Sequence, residues 1–174
     1  MTKTKKLTLS AMMVALGTAF MVVGAMIETL DLTVCALASM LVVFIYLELG
    51  SYYPWLVWIC TSIATALFFP GSIIWAEYLL VFGIYPLVKS YIERLPRWSW
   101  IIVKLVYINL VIGAIFCICE LLLGIPFFGE EGTVMKVVVY VLMNVAFIAY
   151  DLFITVVVRF YFDKLRPRFK KFLK

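Results

Sequence analysis

The chain has 174 residues, of which 66% are apolar, 17% aromatic and only 14% charged, with a formal net charge of +5. Soluble domains are about half apolar and about a quarter charged, so a water-soluble fold would leave large apolar patches exposed and lipid is the expected solvent. Histidine is absent, which removes the commonest general base and metal ligand together with the Ser/His and Cys/His nucleophile pairs; no enzyme activity is expected.

A spanning helix needs about 20 mainly apolar residues to cross a hydrocarbon core about 30 Å thick, and charge and Pro/Gly punctuation divide the chain into six such segments. The first covers 7–27 and ends at the acidic pair Glu28 and Asp31. The second covers 32–49 and stops at Gly50-Ser51. The third, 52–69, carries Pro54 in its first turn and ends at Pro70-Gly71, positions where proline starts and stops helices. The fourth covers 72–91, the fifth 98–123 and the sixth 134–163, with a basic tail over 164–174.

With the N-terminus inside, Lys3, Lys5, Lys6, Lys89, Arg94, Arg97, Lys104, Arg159 and the tail cations all fall on the cytoplasmic side, and Lys136 alone falls outside. Such a Lys/Arg bias sets orientation and requires an even number of spans. The expected fold is therefore an all-α integral membrane protein: one domain, a six-transmembrane-helix bundle with both termini cytoplasmic, in a bacterial inner membrane. The tail, with Leu165, Phe169, Phe172 and Leu173 among its cations, suits an amphipathic stretch lying on anionic lipid. Without a groove-reading motif, the positive charge gives no reason to expect nucleic acid as a partner.

Polar residues within spans are costly unless they face the bundle interior or water. Lys104 stands about 9 Å into the fifth helix, where it either pairs with Asp151 or reaches back to the headgroups. In the outer half, Trp75, Glu77 and Tyr78 on the fourth helix, Glu120 on the fifth, and Tyr140 and Asn144, one turn apart on the sixth, either line an outward-facing pocket with aromatic walls or form an interfacial belt with Asn144 bonding two helices. Cys35, Cys60, Cys117 and Cys119 all sit in apolar stretches without zinc spacing, so buried thiols and no metal site are expected. No phosphate-binding glycine loop occurs, so ATP is not hydrolysed by this chain.

On the first helix, Ala11, Ala15 and Ala19 recur every fourth residue and make one smooth stripe that lets another helix approach closely. The basic start followed by Leu7-Thr8-Leu9-Ser10-Ala11-Met12-Met13-Val14-Ala15-Leu16, on a chain of this size with six spans, resembles the substrate-binding (S) component of energy-coupling factor vitamin transporters. The motif covers about residues 5–20; the likeness elsewhere is one of architecture. The resemblance implies a subunit that captures a vitamin-like ligand near the outer face, topples in the membrane to release it inside, and docks through Ala11, Ala15 and Ala19 on a membrane T component joined to two cytoplasmic ATPases.

Family members often close the site with a longer first loop, so here closure would fall to Phe68-Phe69-Pro70-Gly71 and to 124–132, which has glycine hinges and an aromatic tip. An acidic outer rim with aromatic neighbours favours a neutral or cationic heteroaromatic ligand, such as a pyridoxine-like, pyrimidine or thiamine-like compound, over an anionic one. The competing expectation is a scaffold resembling the small six-span subunit of the bacterial rod-shape machinery, which would need neither an outward pocket nor an exposed small-residue face.

Overall fold

A computed structural model describes residues 2–27, 30–121 and 133–166. Their regular elements are all helices, with no strand among the described residues, and four of the helices are long and apolar enough to cross a membrane: Lys3–Met26, Asp31–Glu48, Trp98–Leu121 and Val134–Lys164. The chain divides into two compact units, Met1–Gly129 and Glu130–Lys174. Glu28, the 124–132 loop and the tail from 167 onward lie outside the described residues.

In the first unit, α1 spans Lys3–Met26. It begins four residues earlier than expected because Thr2 caps it, its hydroxyl accepting from Lys5 N–H at 3.5 Å, and lysines are good helix formers. Helix α2, Asp31–Glu48, has Asp31 in its first turn, where a carboxylate meets the positive end of the helix dipole. It stops at Gly50 and Ser51, both at φ 57°, a left-handed pair that suits glycine and reverses the chain. Helix α3, Tyr53–Phe68, starts with Pro54 in its first turn and ends just before Pro70-Gly71, as the punctuation implies.

The fourth segment departs from expectation. In place of one helix over 72–91 there is a short α4, Ile74–Glu77, a π turn over Tyr78–Phe82, and then α5, Tyr85–Ile92. Gly83 is a weak helix former, and Pro86 lacks the N–H that would bond back into the preceding turn. Helix α6 follows over Arg97–Leu121. The second unit consists of α7, Thr133–Phe160, running into a π turn over Tyr161–Leu165.

Close packing in the first unit relies on small residues. Helix α1 buries Ser10, Gly17, Met21 and Gly24 against α2 and α3, where Cys35, Ala38, Val42, Ile45 and Val57 complete the core. A Cβ on Gly17 would lie 3.3 Å from Thr61, and one on Gly24 would lie 2.8 Å from Ile74 Cδ1 and 3.1 Å from Val34. Gly24→Val is therefore expected to overpack this seam and cost about 1–3 kcal/mol, read as a lower midpoint of thermal unfolding in detergent by circular dichroism.

With the glycines turned inward, Ala11, Ala15 and Ala19 lie exposed on another face of α1, so the bundle does not consume the stripe. Four buried hydroxyls are satisfied within their own helices, Ser10, Ser39, Ser62 and Thr65 donating to the carbonyls of Lys6, Ala36, Trp58 and Thr61 at 2.7–3.0 Å, which removes the cost of an unpaired donor at these positions, whereas the Thr18 and Thr61 hydroxyls are buried without a hydrogen-bonding partner among the described residues.

Candidate functional site

Helix α4 enters the first unit against the ends of α1 and α2: Ile74 Cδ1 lies over Gly24 and Val34, and the Ile74 carbonyl is 3.9 Å from Cys35 Sγ. The alternation of Ile74, Ala76 and Tyr78, all buried, anchors the segment and holds the intervening Trp75 and Glu77 half-buried beside it. Trp75 Nε1 and Glu77 Oε2 are both shut off from solvent, and neither has a hydrogen-bonding partner among the described residues. Tyr78 is 1% exposed.

The structure thus brings together three residues expected on the fourth helix, Trp75, Glu77 and Tyr78, and adds Asp31 from α2, which acts electrostatically on Glu77. Asp31 lies in the first loop of the sequence, with nothing local to connect it to a residue 46 positions later; only the packing of α4 on α2 does so. Two carboxylates that repel one another favour a nearby cation or a proton. A carboxylate oxygen and an indole N–H without protein partners offer one acceptor and one donor to a small molecule.

Glu120 lies on α6, exposed, next to Cys119, which feels both Glu77 and Glu120. Tyr140 and Asn144 belong to the second unit, where Asn144 Nδ2 donates to the Tyr140 carbonyl at 3.0 Å. One donor of that amide is spent on its own helix, as is that of Asn109, which donates to the Leu105 carbonyl at 2.8 Å. Of the four cysteines, Cys35 and Cys119 are buried, whereas Cys60 and Cys117 are exposed; the expectation of four buried thiols is corrected for that pair, which lies on outward-facing positions of α3 and α6.

At the opposite end of α5 a second polar group emerges. Lys89 is only 5% exposed, with Nζ 3.6 Å from Glu93, and Lys104 Nζ reaches the same carboxylate at 3.8 Å. Read from sequence, Lys89 was an orientation signal only; its spacing of four from the buried Tyr85 and three from the buried Ile92 puts it on the core face. Lys104 has Glu93 as a carboxylate partner within its own unit, and Asp151 stands on the other unit. Lys89→Met is expected to lower stability by about 1 kcal/mol, since Glu93 is partly solvated and keeps Lys104; chemical unfolding in detergent micelles would measure it.

The π turn lies immediately after Glu77. Its widened loop closes with Gly83 N–H donating to the Tyr78 carbonyl at 2.7 Å, and two neighbouring helices supply donors to the next carbonyls: Trp58 Nε1 to Leu79 at 3.1 Å and Tyr107 hydroxyl to Leu80 at 2.7 Å. Irregular backbone at membrane depth is tolerated where other protein groups satisfy it, and π turns and broken spans recur at functional sites. Comparison of the chain with protein-family models, with curated proteins and with solved structures finds no match.

Proposed function

We propose that this protein is the substrate-capture subunit of an energy-coupling factor type importer in a bacterial inner membrane, with six spans and both termini in the cytoplasm. In this reading the Tyr53–Phe68 helix and the broken fourth segment cross the bilayer along with the four longer helices. The observation that carries it is the pair Trp75 and Glu77, whose solvent-shielded polar atoms lack hydrogen-bonding partners among the described residues at the head of a broken, mainly apolar segment. A scaffold gains nothing from such a pair, whose burial opposes folding, whereas a binding site does.

The ligand is a small neutral or cationic heteroaromatic compound: Glu77 and Asp31 attract the cationic or N–H face, Trp75 N–H meets an acceptor, and Tyr78 closes the inner side. Docking on a membrane T component uses the exposed Ala11, Ala15 and Ala19, and two cytoplasmic ATPases bound to that component supply the energy. The test is a thermal-shift and native mass-spectrometry screen of the detergent-purified protein against thiamine, pyridoxine, cytosine, folate and pantothenate, since a ligand that binds the folded state raises its stability by mass action. Stabilisation by one of the first three supports the reading. Binding of folate or pantothenate alone overturns the ligand class, and silence from a folded, monodisperse sample across these and the remaining water-soluble vitamins turns the weight to the scaffold.

A further inference from the structure

The π turn over Tyr78–Phe82 is held by groups from two neighbouring helices. Trp58 on α3 and Tyr107 on α6 donate to the adjacent carbonyls of Leu79 and Leu80. Just after the turn lies Gly83, where a Cβ would come within 2.5 Å of Trp58 Cδ1 and 2.9 Å of the Tyr78 carbonyl, so the absent side chain is what admits the indole. The Tyr107 ring is further fixed against Tyr85, with centroids 5.6 Å apart, and the Trp58 ring against Trp55, at 5.7 Å edge to face.

A π turn takes in one residue more than an α turn, and one residue of α-helix is about 100° of rotation. Ile74, Tyr78, Phe82 and Pro86 are buried on both sides of the wide turn, so the extra residue falls within a segment packed at both ends. If the segment relaxed to regular α-helix, α4 would turn relative to α5, and Trp75 and Glu77 would turn with it.

We propose that Trp58 and Tyr107 are positioning residues that clamp the π turn and thereby set the rotational phase at which Trp75 and Glu77 face the interior of the bundle. Its bearing on ligand affinity rests on the capture reading above, but the clamp itself is a property of the ligand-free protein. Each acts through a backbone carbonyl two or three residues beyond Glu77.

The experiment reads phase directly. In a full-length background with Cys35, Cys60, Cys117 and Cys119 replaced by alanine, Ile73→Cys and Ile74→Cys are made separately, and their rates of reaction with N-ethylmaleimide are compared in detergent. Ile74 is fully buried and Ile73 half-buried, so the expected order is 73 well above 74. Adding Trp58→Phe and Tyr107→Phe, which remove both donors, the first also shrinking the indole to a phenyl and the second keeping its ring, is expected to change the ratio of the two rates at least fivefold as Ile74 turns outward. Tyr107→Phe alone, the loss of one oxygen atom, keeps the comparison readable if the double variant fails to fold, and Gly83→Ala, which displaces the indole, should move the ratio the same way. A ratio unchanged in the folded variants, or a rise at both positions by the same factor, overturns the proposal, because general loosening raises both rates together. No ligand enters the measurement, so its failure leaves the capture reading standing, and silence in the vitamin screen leaves the clamp standing.

Discussion

Glu77→Gln is expected to raise the stability of the ligand-free protein while lowering affinity for its ligand by about 100-fold, equivalent to about 3 kcal/mol. Glu77 Oε2 is shielded from water without a hydrogen-bonding partner and feels the charge of Asp31, an arrangement that opposes folding. A neutral amide of nearly the same shape removes the repulsion, so the gain on folding is about 1 kcal/mol or more. The same change removes the charge that a cationic ligand would meet. Opposite signs for stability and binding are the mark of a residue kept for function. The check is a pair of melting curves, with and without the stabilising compound found in the vitamin screen. A variant less stable than the parent that keeps its ligand shift would make Glu77 a structural residue and move the site elsewhere.

Ala15→Trp is expected to abolish association with the T component, by about 100-fold or more in affinity, with ligand affinity nearly unchanged. Ala15 is the centre of the exposed alanine face of α1, and the opposite face carries the glycines that pack the bundle. Lipid readily accommodates an indole at such a position, so the isolated subunit should fold normally. A partner helix that requires close backbone approach does not. Copurification of a tagged T component with the variant, quantified against the parent, decides the matter. An intact complex would remove the main support for the transporter family, whereas a subunit that no longer folds would mean that the alanine face is internal after all.

Composition and punctuation were enough to read a chain of helices, several long and apolar enough to cross a membrane, the ends of α2 at Gly50-Ser51 and of α3 before Pro70, and the proline start of α3. Both are local: apolar length and backbone stereochemistry act within a few residues. The break in the fourth segment was legible in principle, since Gly83 and Pro86 stand three apart inside it, but an apolar run hides such a break when hydropathy alone sets the boundaries. Trp75, Glu77 and Tyr78 stood out because a charged residue between aromatics in an apolar stretch is costly wherever it lies. Asp31, Trp58 and Tyr107 did not, because their roles depend on which helices become neighbours. Lys89 misled for a related reason: near a helix end a lysine reads the same whether it reaches water or turns inward, and only its phase relative to Tyr85 and Ile92 separates the two.

The local satisfaction of hydroxyls has a consequence for how the protein is made. Because Ser10, Ser39, Ser62 and Thr65 bond within their own helices, these four groups are satisfied before any neighbouring helix is present, so that in the proposed six-span arrangement they ask for no partner as α1, α2 and α3 leave the translocon. The fourth segment is different. Its Leu79 carbonyl receives Trp58 from a helix synthesised earlier, but its Leu80 carbonyl receives Tyr107 from one synthesised later. Until α6 emerges, the turn is half-fastened, which makes the fourth and fifth hydrophobic segments natural companions in insertion and ties the final shape of the site to a residue translated about thirty positions after it.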